Sequence, residues 1–488
     1  MSVHHSENER ETVLPPLTPG PHRRRLGLIS IVACFGGLLF GYDTGVSNGA
    51  ERPMQAELGL SDLSLGVVIS SLVFAAAVGA LVGGKISDAI GRRRTIIALA
   101  VLFFVGTVLV VVSPGFEVLV AGRIMLGLAV GGSSTVVPVY LAEMAPLEIR
   151  GSITGRNELA IVSGQLAAFV MNANIGNVWG HIDGVWRLMF SLCAIPAICL
   201  FVGMLRMPES PRWYVEKGRN DKALEVLKTV RPEERALAEL AEVERVAAEE
   251  KAEGDVGLRA ILTNKWLLRI VLVGIGVAMA QQLTGINSIM YYGQRILIEA
   301  GFDAGAALIA NIASGVVAVL GGIIALRNMD RLDRRKTFAI GLTLTTTCHV
   351  LIGIASVTIP EGNPIRPYVL LVLIVAFVMS MQTFLNIAVW VWLAEIFPLH
   401  MRGVGIGISV FFGWTTNGFL ALYVPTLIEN IGITGTFFMF AAVGAIALVF
   451  VITQVPETRG RSLEALEEDV STGAVYTVAK GTARRNRR

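Results

Sequence analysis

GKISDAIGRRR, residues 84–94, joins two long apolar runs, and NMDRLDRRK, residues 328–336, does the same in the second half of the chain. Both contain Asp-x-x-x-Arg-Arg, and Asp330 stands 242 positions after Asp88. Other pairs keep nearly the same offset. Glu143 and Arg150 match Glu395 and Arg402 at 252, PESPR (208–212) matches PETRGR (456–461) at 248, and GYD (41–43) matches GIN (285–287) at 244. Two halves that repeat in the same topological sense are related by an axis along the membrane normal, and a site between such halves is transporter architecture.

The composition agrees. Of 488 residues, 53% are hydrophobic and 16% charged, against roughly a quarter charged in soluble domains. Apolar runs near the length a bilayer requires fall at about 27–50, 62–84, 95–113, 119–142, 158–176 and 186–206. A second set falls at about 267–298, 304–327, 338–357, 368–396, 403–429 and 433–454. The expected fold class is an all-α membrane protein with 12 transmembrane helices in two six-helix halves and a helical segment between them. The net charge of +3 says little about partners, four cysteines within apolar runs show no disulfide or metal spacing, and no nucleic-acid partner is expected.

Lysines and arginines cluster after the second, fourth, sixth, eighth and tenth spans and before the first (Arg23, Arg24, Arg25). Positive charge stays inside, so both termini and the central segment are expected on the cytoplasmic side of a plasma membrane. The expected organisation is a disordered tail over 1–25, a six-helix half over 26–207, a cytoplasmic helical linker over 208–262, a second half over 263–456 and a C-terminal tail over 457–488. Residues 216–259 are Glu/Lys/Arg/Ala-rich, too polar to span and well suited to amphipathic helices, with Pro232 marking a break.

The repeated charges suggest a cytoplasmic gate. Asp88, Arg92, Glu143, Arg150, Asp330, Arg334, Glu395 and Arg402 lie at matched span ends, with Glu209 and Arg212 beside them. Arginine pairs with carboxylates bidentately, so pairs across the seam between halves are expected to hold while the site faces outward and to part when it faces inward.

LLFGYDTGV (38–46) places Asp43 within the first span, and AGRIMLGL places Arg123 within the fourth. A charge at that depth costs at least about 2.5–3.5 kcal/mol on insertion scales and therefore usually serves function; the alternative is that Asp43, with Gly41 and Gly45, caps a helix irregularity. Amides recur at membrane depth. Glu158, Gln165 and Asn172 are spaced by seven in the fifth span, and Gln281, Gly285, Ser288 and Tyr292 share a face of the seventh beside Gln282 and Asn287. Asn311 lies in the eighth, Gln382, Asn386 and Trp390 form a stripe in the tenth, and Trp414 and Asn417 lie in the eleventh. Amides and aromatic planes suit a ring of hydroxyls with an apolar face. The alternative for any one of them is interhelical glue.

GGLLFGYDTGV, GxxSDxxGRR, PVYLAE, PESPRW, QQLTGINSIMYY, EIFPLHMRG and PET together resemble the sugar porter family of the major facilitator superfamily, over about 27–465. NELAIVSGQLAAFVMNANIG, QQLTGINSIMYYGQRIL and EIFPLHMRGVGIG are most similar to bacterial proton-linked myo-inositol transporters. The resemblance implies alternating access, a sugar or cyclic polyol as substrate with myo-inositol favoured, and no cofactor beyond the proton as coupling ion. It matches Asp43 and Arg123 to the family's proton-coupling pair. It also matches Gln165, Gln281, Gln282, Asn287 and Trp390 to sugar-contacting positions, with Tyr291 and Tyr292 closing the extracellular side. Asn386 and Ile387 stand where hexose porters carry Gly-Pro, which is expected to stiffen the tenth helix, and Gly413 stands where many place an amide. The alternatives are a hexose or pentose proton symporter, an uncoupled facilitator, and a sugar-binding sensor, which the short C-terminal tail disfavours. An amide-rich interior disfavours a drug exporter, and no nucleophile–base constellation suggests an enzyme. The expected partners are the small-molecule substrate, protons and the lipid bilayer, with the protein a monomer.

Overall fold

The computed structural model describes residues 14–253, 263–328, 331–397, 401–459 and, beyond these, positions 469, 470, 472 and 474. The regular elements among the described residues are all helical. The N-terminal half comprises α1 (Pro21–Leu58), α2 (Asp62–Ile90), α3 (Arg92–Val112), α4 (Phe116–Met144), α5 (Arg150–Trp179), and a sixth span divided into α6 (Val185–Ser191) and α7 (Ala194–Leu205). The linker holds α8 (Pro211–Glu216), α9 (Asn220–Val230) and α10 (Glu233–Glu253). The C-terminal half comprises α11 (Lys265–Leu283), α12 (Ile286–Glu299), α13 (Ala304–Asn328), α14 (Arg334–Thr358), α15 (Arg366–Met381), α16 (Ile387–Ile396) and α17 (Arg402–Gln454).

Eleven stretches among the described residues are long and apolar enough to cross a membrane. The last of them contains two spans. α17 has 53 residues, about 80 Å if straight, well over twice a hydrocarbon core. It turns back at Gly432, whose φ of 66° lies in the left-handed region. Val424 and Phe440 accordingly line the same small cavity.

Two irregularities place polar groups inside the bundle. The seventh span breaks between α11 and α12 at Gly285, where φ is 79° and a Cβ would lie 2.9 Å from the Phe440 ring; both the backbone and the packing require glycine. The tenth span widens into one π-helical turn, Gln382–Asn386, between α15 and α16. Without the Gly-Pro pair, the tenth span is still not a regular helix. A π turn occupies that position, a distortion frequent at functional sites.

α1 runs through Asp43 without a break, so the helix-cap reading of that residue fails. Gly37, Gly41, Gly45 and Gly49 form a ridge against α5, and at Gly41 a Cβ would lie 1.8 Å from the Ile161 carbonyl oxygen. Small residues bring the two backbones together.

Pro232 separates α9 from α10, as read from the sequence. Two buried arginines fix the linker. Arg231 donates to the Met144 carbonyl at 3.0 Å and pairs with Glu239 at 2.9 Å. Arg235 pairs with Glu148 at 3.0 Å and donates to the Pro15 carbonyl at 2.7 Å. The N-terminal tail is thus ordered at its membrane end: α1 begins at Pro21, and Pro15 is held by the linker. Residues 1–13 and most of the C-terminal tail lie outside the described residues.

Candidate functional site

Asp43 and Arg123 meet in the interior of the N-terminal half. An Arg123 Nη1 hydrogen donates to Asp43 Oδ1 at 3.0 Å, and both residues are completely buried. Arg123 Nη2 donates to Ser47 Oγ at 3.1 Å, while Ser47 Oγ itself donates to the Asp43 carbonyl at 3.1 Å. The guanidinium lies 5.6 Å from the Phe190 ring centroid. Asp43 Oδ2 and Arg123 Nε have no hydrogen-bond partner, so the pair is joined by a single direct bond. An isolated charge here would be prohibitive, and each makes the other tolerable.

The repeat-related position, Asn287, starts a chain of amides. Asn287 Nδ2 donates to Gln282 Oε1 at 2.8 Å, Gln282 Nε2 to Gln281 Oε1 at 3.3 Å, and Gln281 Nε2 to the Asn386 carbonyl at 3.3 Å. The break at Gly285 and the π turn bring these groups together. Gln282, Asn287, Asn386 and Trp390 remain half-buried, and so does Glu158 on α5. Gln165 is buried with Oε1 unpartnered. Trp414 packs against Phe40 of the opposite half, ring centroids 5.4 Å apart.

Other expected contacts have structural partners. Asn172 donates to the Gly45 and Val46 carbonyls at 3.0 and 3.3 Å and so joins α5 to α1. Tyr292 is fully buried and donates to the Ala421 carbonyl at 2.6 Å, which ties α12 to α17 and keeps it off an open substrate surface. Asn417 donates to the Tyr291 hydroxyl at 3.5 Å, and Asn311 is buried beside Gly293.

The halves are closed against each other on the face opposite the linker, here the far face. Asn48 Nδ2 donates to the Met290 carbonyl at 2.9 Å, and its Oδ1 accepts from Gln294 N at 2.8 Å. Arg295 of α12 grips Asp62 of α2 with two bonds, 2.9 and 2.7 Å. None of Asn48, Asp62, Gln294 or Arg295 figured in the sequence reading, because each lies at a span end where polar residues look ordinary.

On the linker face the gate charges pair inside each half. Arg92 Nη1 lies 2.8 Å from Asp88, and Arg92 Nη2 lies 3.0 Å from Glu143; Arg334 Nη2 lies 2.9 Å from Glu395. Pairing across the seam is expected only while the site faces outward, and the described gate charges pair within their own halves in this conformation. Arg212 faces Glu216 at 3.6 Å, and Arg150 is exposed at the start of α5. Asp330 and the Arg402 side chain lie outside the described residues.

Glu209 has a different task from the ion pairing expected of it. Its Oε1 accepts from the backbone N–H of Arg93 at 2.9 Å, at the start of α3. Glu457 accepts from the N–H groups of Arg334 and Arg335, at 2.9 and 3.0 Å, at the start of α14. Carboxylates at helix N-termini satisfy orphan donors and the helix dipole. Tyr140 and Trp392, also missed, donate to the Pro208 and Pro456 carbonyls at 2.8 and 3.0 Å. Their offset of 252, the same as that of Glu143 and Glu395, was the available signal.

The geometry fits what the comparisons with known proteins find. Residues 29–470 match the family model described as sugar (and other) transporter. The chain is 48% identical over 446 residues to the major myo-inositol transporter IolT of Bacillus subtilis, covering 91% of this chain and 94% of that one. It is 35% identical to the glucose transporter GlcP of Staphylococcus epidermidis, covering 92% and 98%. Among solved structures, the xylose transporter XylE from E. coli, in a partially occluded inward open conformation, superposes with a TM-score of 0.79 at 27% identity, covering 90% of this chain and all of that one. The repeat, the helix order and these matches make the chain a multi-pass membrane transporter, not an enzyme, and it belongs to the sugar transporter family.

Proposed function

We propose that the protein is a proton-coupled symporter of a cyclic polyol or sugar, with myo-inositol favoured, working by alternating access in the plasma membrane with the linker face cytoplasmic. The observation that carries this reading is the sealed Asp43–Arg123 pair, a carboxylate and a guanidinium joined by one bond at 3.0 Å within the half that lacks the amide chain. A proton added to Asp43 cancels its charge and its attraction to Arg123. The N-terminal half is then free to change its packing around bound substrate. Loss of the proton on the cytoplasmic side restores the pair.

The amides Gln281, Gln282, Asn287 and Asn386, with Gln165, both donate and accept, as vicinal hydroxyls require. Trp390 offers an apolar plane. The similarity to the myo-inositol transporter supports the polyol preference; the similarity to glucose and xylose transporters supports a hexose or pentose as the second choice. The closed far face and the likeness to an inward open structure support an inward-facing state for this conformation.

The test is uptake of radiolabelled myo-inositol into proteoliposomes under an inward proton gradient, with glucose and xylose as competitors, with and without a protonophore. The expected result is accumulation that the protonophore abolishes and excess glucose leaves largely intact. Glucose competing where inositol does not would overturn the polyol preference, and accumulation surviving the protonophore would overturn proton coupling.

A further inference from the structure

The far-face closure contains a second carboxylate that the coupling pair does not use. Glu51 lies on α1 two turns beyond Asp43, is completely buried, and has no hydrogen-bond partner on either carboxyl oxygen. Its nearest cation is Arg295, whose Nη1 lies 3.6 Å from Glu51 Oε1. That guanidinium is already committed to Asp62 through two bonds, and Gln55 Nε2 also donates to Asp62 Oδ1, at 2.7 Å. The remaining groups facing Glu51 are Arg52 on its own helix and Tyr292 on α12; Glu429 of α17 reaches Asp62, and Glu299 of α12 reaches Arg295. Tyr292 spends its hydroxyl hydrogen on the Ala421 carbonyl, and Arg52 is exposed.

Two carboxylates, Glu51 completely buried and Asp62 partly buried, therefore share one guanidinium, and the geometry gives both bonds to Asp62. Carboxylates confined around a single cation do not both remain ionised cheaply, and an ionised carboxylate without a hydrogen bond is costly to bury. Arg295 belongs to the C-terminal half, while Glu51 and Asp62 belong to the N-terminal half. Separating the halves on this face removes the cation and admits water to both acids.

We propose that Glu51 is a second proton-binding site of the transport cycle, filled from the external solution as the far face closes around Arg295 and emptied to the same side as it opens. The proton forms an O–H bond on the Glu51 carboxyl group, taking its charge from −1 to zero, and returns to external water on reopening. No additional proton crosses the membrane. External acidity instead favours the closed outer gate. The inference rests on reading the far face as extracellular, and its test requires neither substrate nor transport.

Hydrogen–deuterium exchange over residues 286–299, in the full-length protein in nanodiscs at pH 5.5 and 8, tests the proposal. After correction for intrinsic chemical rates, exchange in the wild type is expected to be at least about tenfold slower at pH 5.5, linkage to one proton giving up to about tenfold per pH unit. Glu51→Gln is expected to be slow at both pH values, because the amide carries no charge to expel. Arg295→Gln is expected to be fast at both, and decides the matter alone if the first variant does not fold. A pH-independent wild type, a step that survives in Glu51→Gln, or protection that survives in Arg295→Gln would each overturn the proposal. Failure of proton-driven uptake with this pattern intact would count only against the symport reading.

Discussion

The two halves answer the same position in opposite ways. At Asp43 the N-terminal half has a carboxylate sealed against a guanidinium at 3.0 Å; at Asn287 the C-terminal half has an amide that opens a hydrogen-bonded chain to the π turn. The local backbone explains the difference. α1 is unbroken and pressed onto α5 by its glycine ridge, so its interior is dry and a charge there needs a fixed partner. The seventh span is interrupted at Gly285, and Gln282 and Asn287 on either side of the break are half-buried. On the proposed function, one half responds to a proton and the other grades hydrogen bonds with hydroxyls.

Exchanging the two chemistries should break this comparison most severely. Asp43→Asn is expected to abolish accumulation against a gradient while substrate exchange across proteoliposomes persists. It should also cost about 3–5 kcal/mol of stability, because Arg123 is left buried without its counter-charge. Exchange and pH-driven uptake measured on one preparation separate the two effects, and full accumulation by the variant would remove Asp43 from coupling. The reciprocal change, Asn287→Asp, places an unpartnered acid at membrane depth at a cost of about 3 kcal/mol. Its expected signature is a KM raised by two orders of magnitude or more.

A smaller perturbation sharpens the same contrast. Gln282→Ala removes the central link of the amide chain and leaves Asn287 Nδ2 without its acceptor. Losing hydrogen bonds in a partly buried site costs about 1–3 kcal/mol, so KM should rise roughly tenfold to a hundredfold. The accumulation ratio at saturating substrate should not change, because the proton site is in the other half. A variant that lost accumulation and kept its KM would show that the division between the halves is wrong.

The sequence exposes one side of this contrast better than the other. Asp43 and Arg123 stand out because each interrupts an apolar run, and their meeting requires only that the first and fourth spans be neighbours. The amide chain is harder to read, since its order depends on the break at Gly285 and the π turn at 382–386. A π turn is a choice of hydrogen-bond register settled by packing, with Gly321 seated against the Gln382 Cβ, and no local pattern announces it. The stripe of Gln382, Asn386 and Trp390 presumes a regular helix. Glu209 was legible as a functional charge, but not as a helix cap, because its partners are backbone N–H groups invisible to residue pairing. Glu51 and Arg295 escaped notice because they sit where spans were expected to end, and their burial arises only when the halves meet.

The linker face supplies the smaller effects, and there the halves agree. Arg92→Gln and Arg334→Gln each break a pair that is mostly buried on the arginine side, and each should destabilise its own half by about 1–3 kcal/mol. Removing one hydrogen bond from the matched aromatic anchors, with Tyr140→Phe, should cost about 0.5–1.5 kcal/mol. Thermal unfolding in detergent ranks the three. Equal losses for the two arginines would extend the symmetry from geometry to energetics, whereas a loss confined to one half would limit it to shape.

Asp333 marks the lower limit of this series. Hydrogen bonds from Lys336 and Arg459 hold its carboxyl below the usual aspartate range. The contacts are 2.6 Å to Lys336 and 3.1 Å to Arg459, but Lys336 is 78% exposed and Arg459 41%. A depressed carboxyl contributes stability above its unfolded pKa and loses it as pH falls through the folded one. Any contribution of Asp333 should therefore be full at neutral pH and vanish under acid conditions. Solvent and salt screen such pairs, and exposed ones are worth about 0–1 kcal/mol. Asp333→Asn is accordingly expected to shift the unfolding midpoint by no more than a degree or two, and only above about pH 4. A shift as large as that of Arg334→Gln would show that the loop after the eighth span bears on closure of the whole face, and that its charges act together with the buried pair rather than outside it.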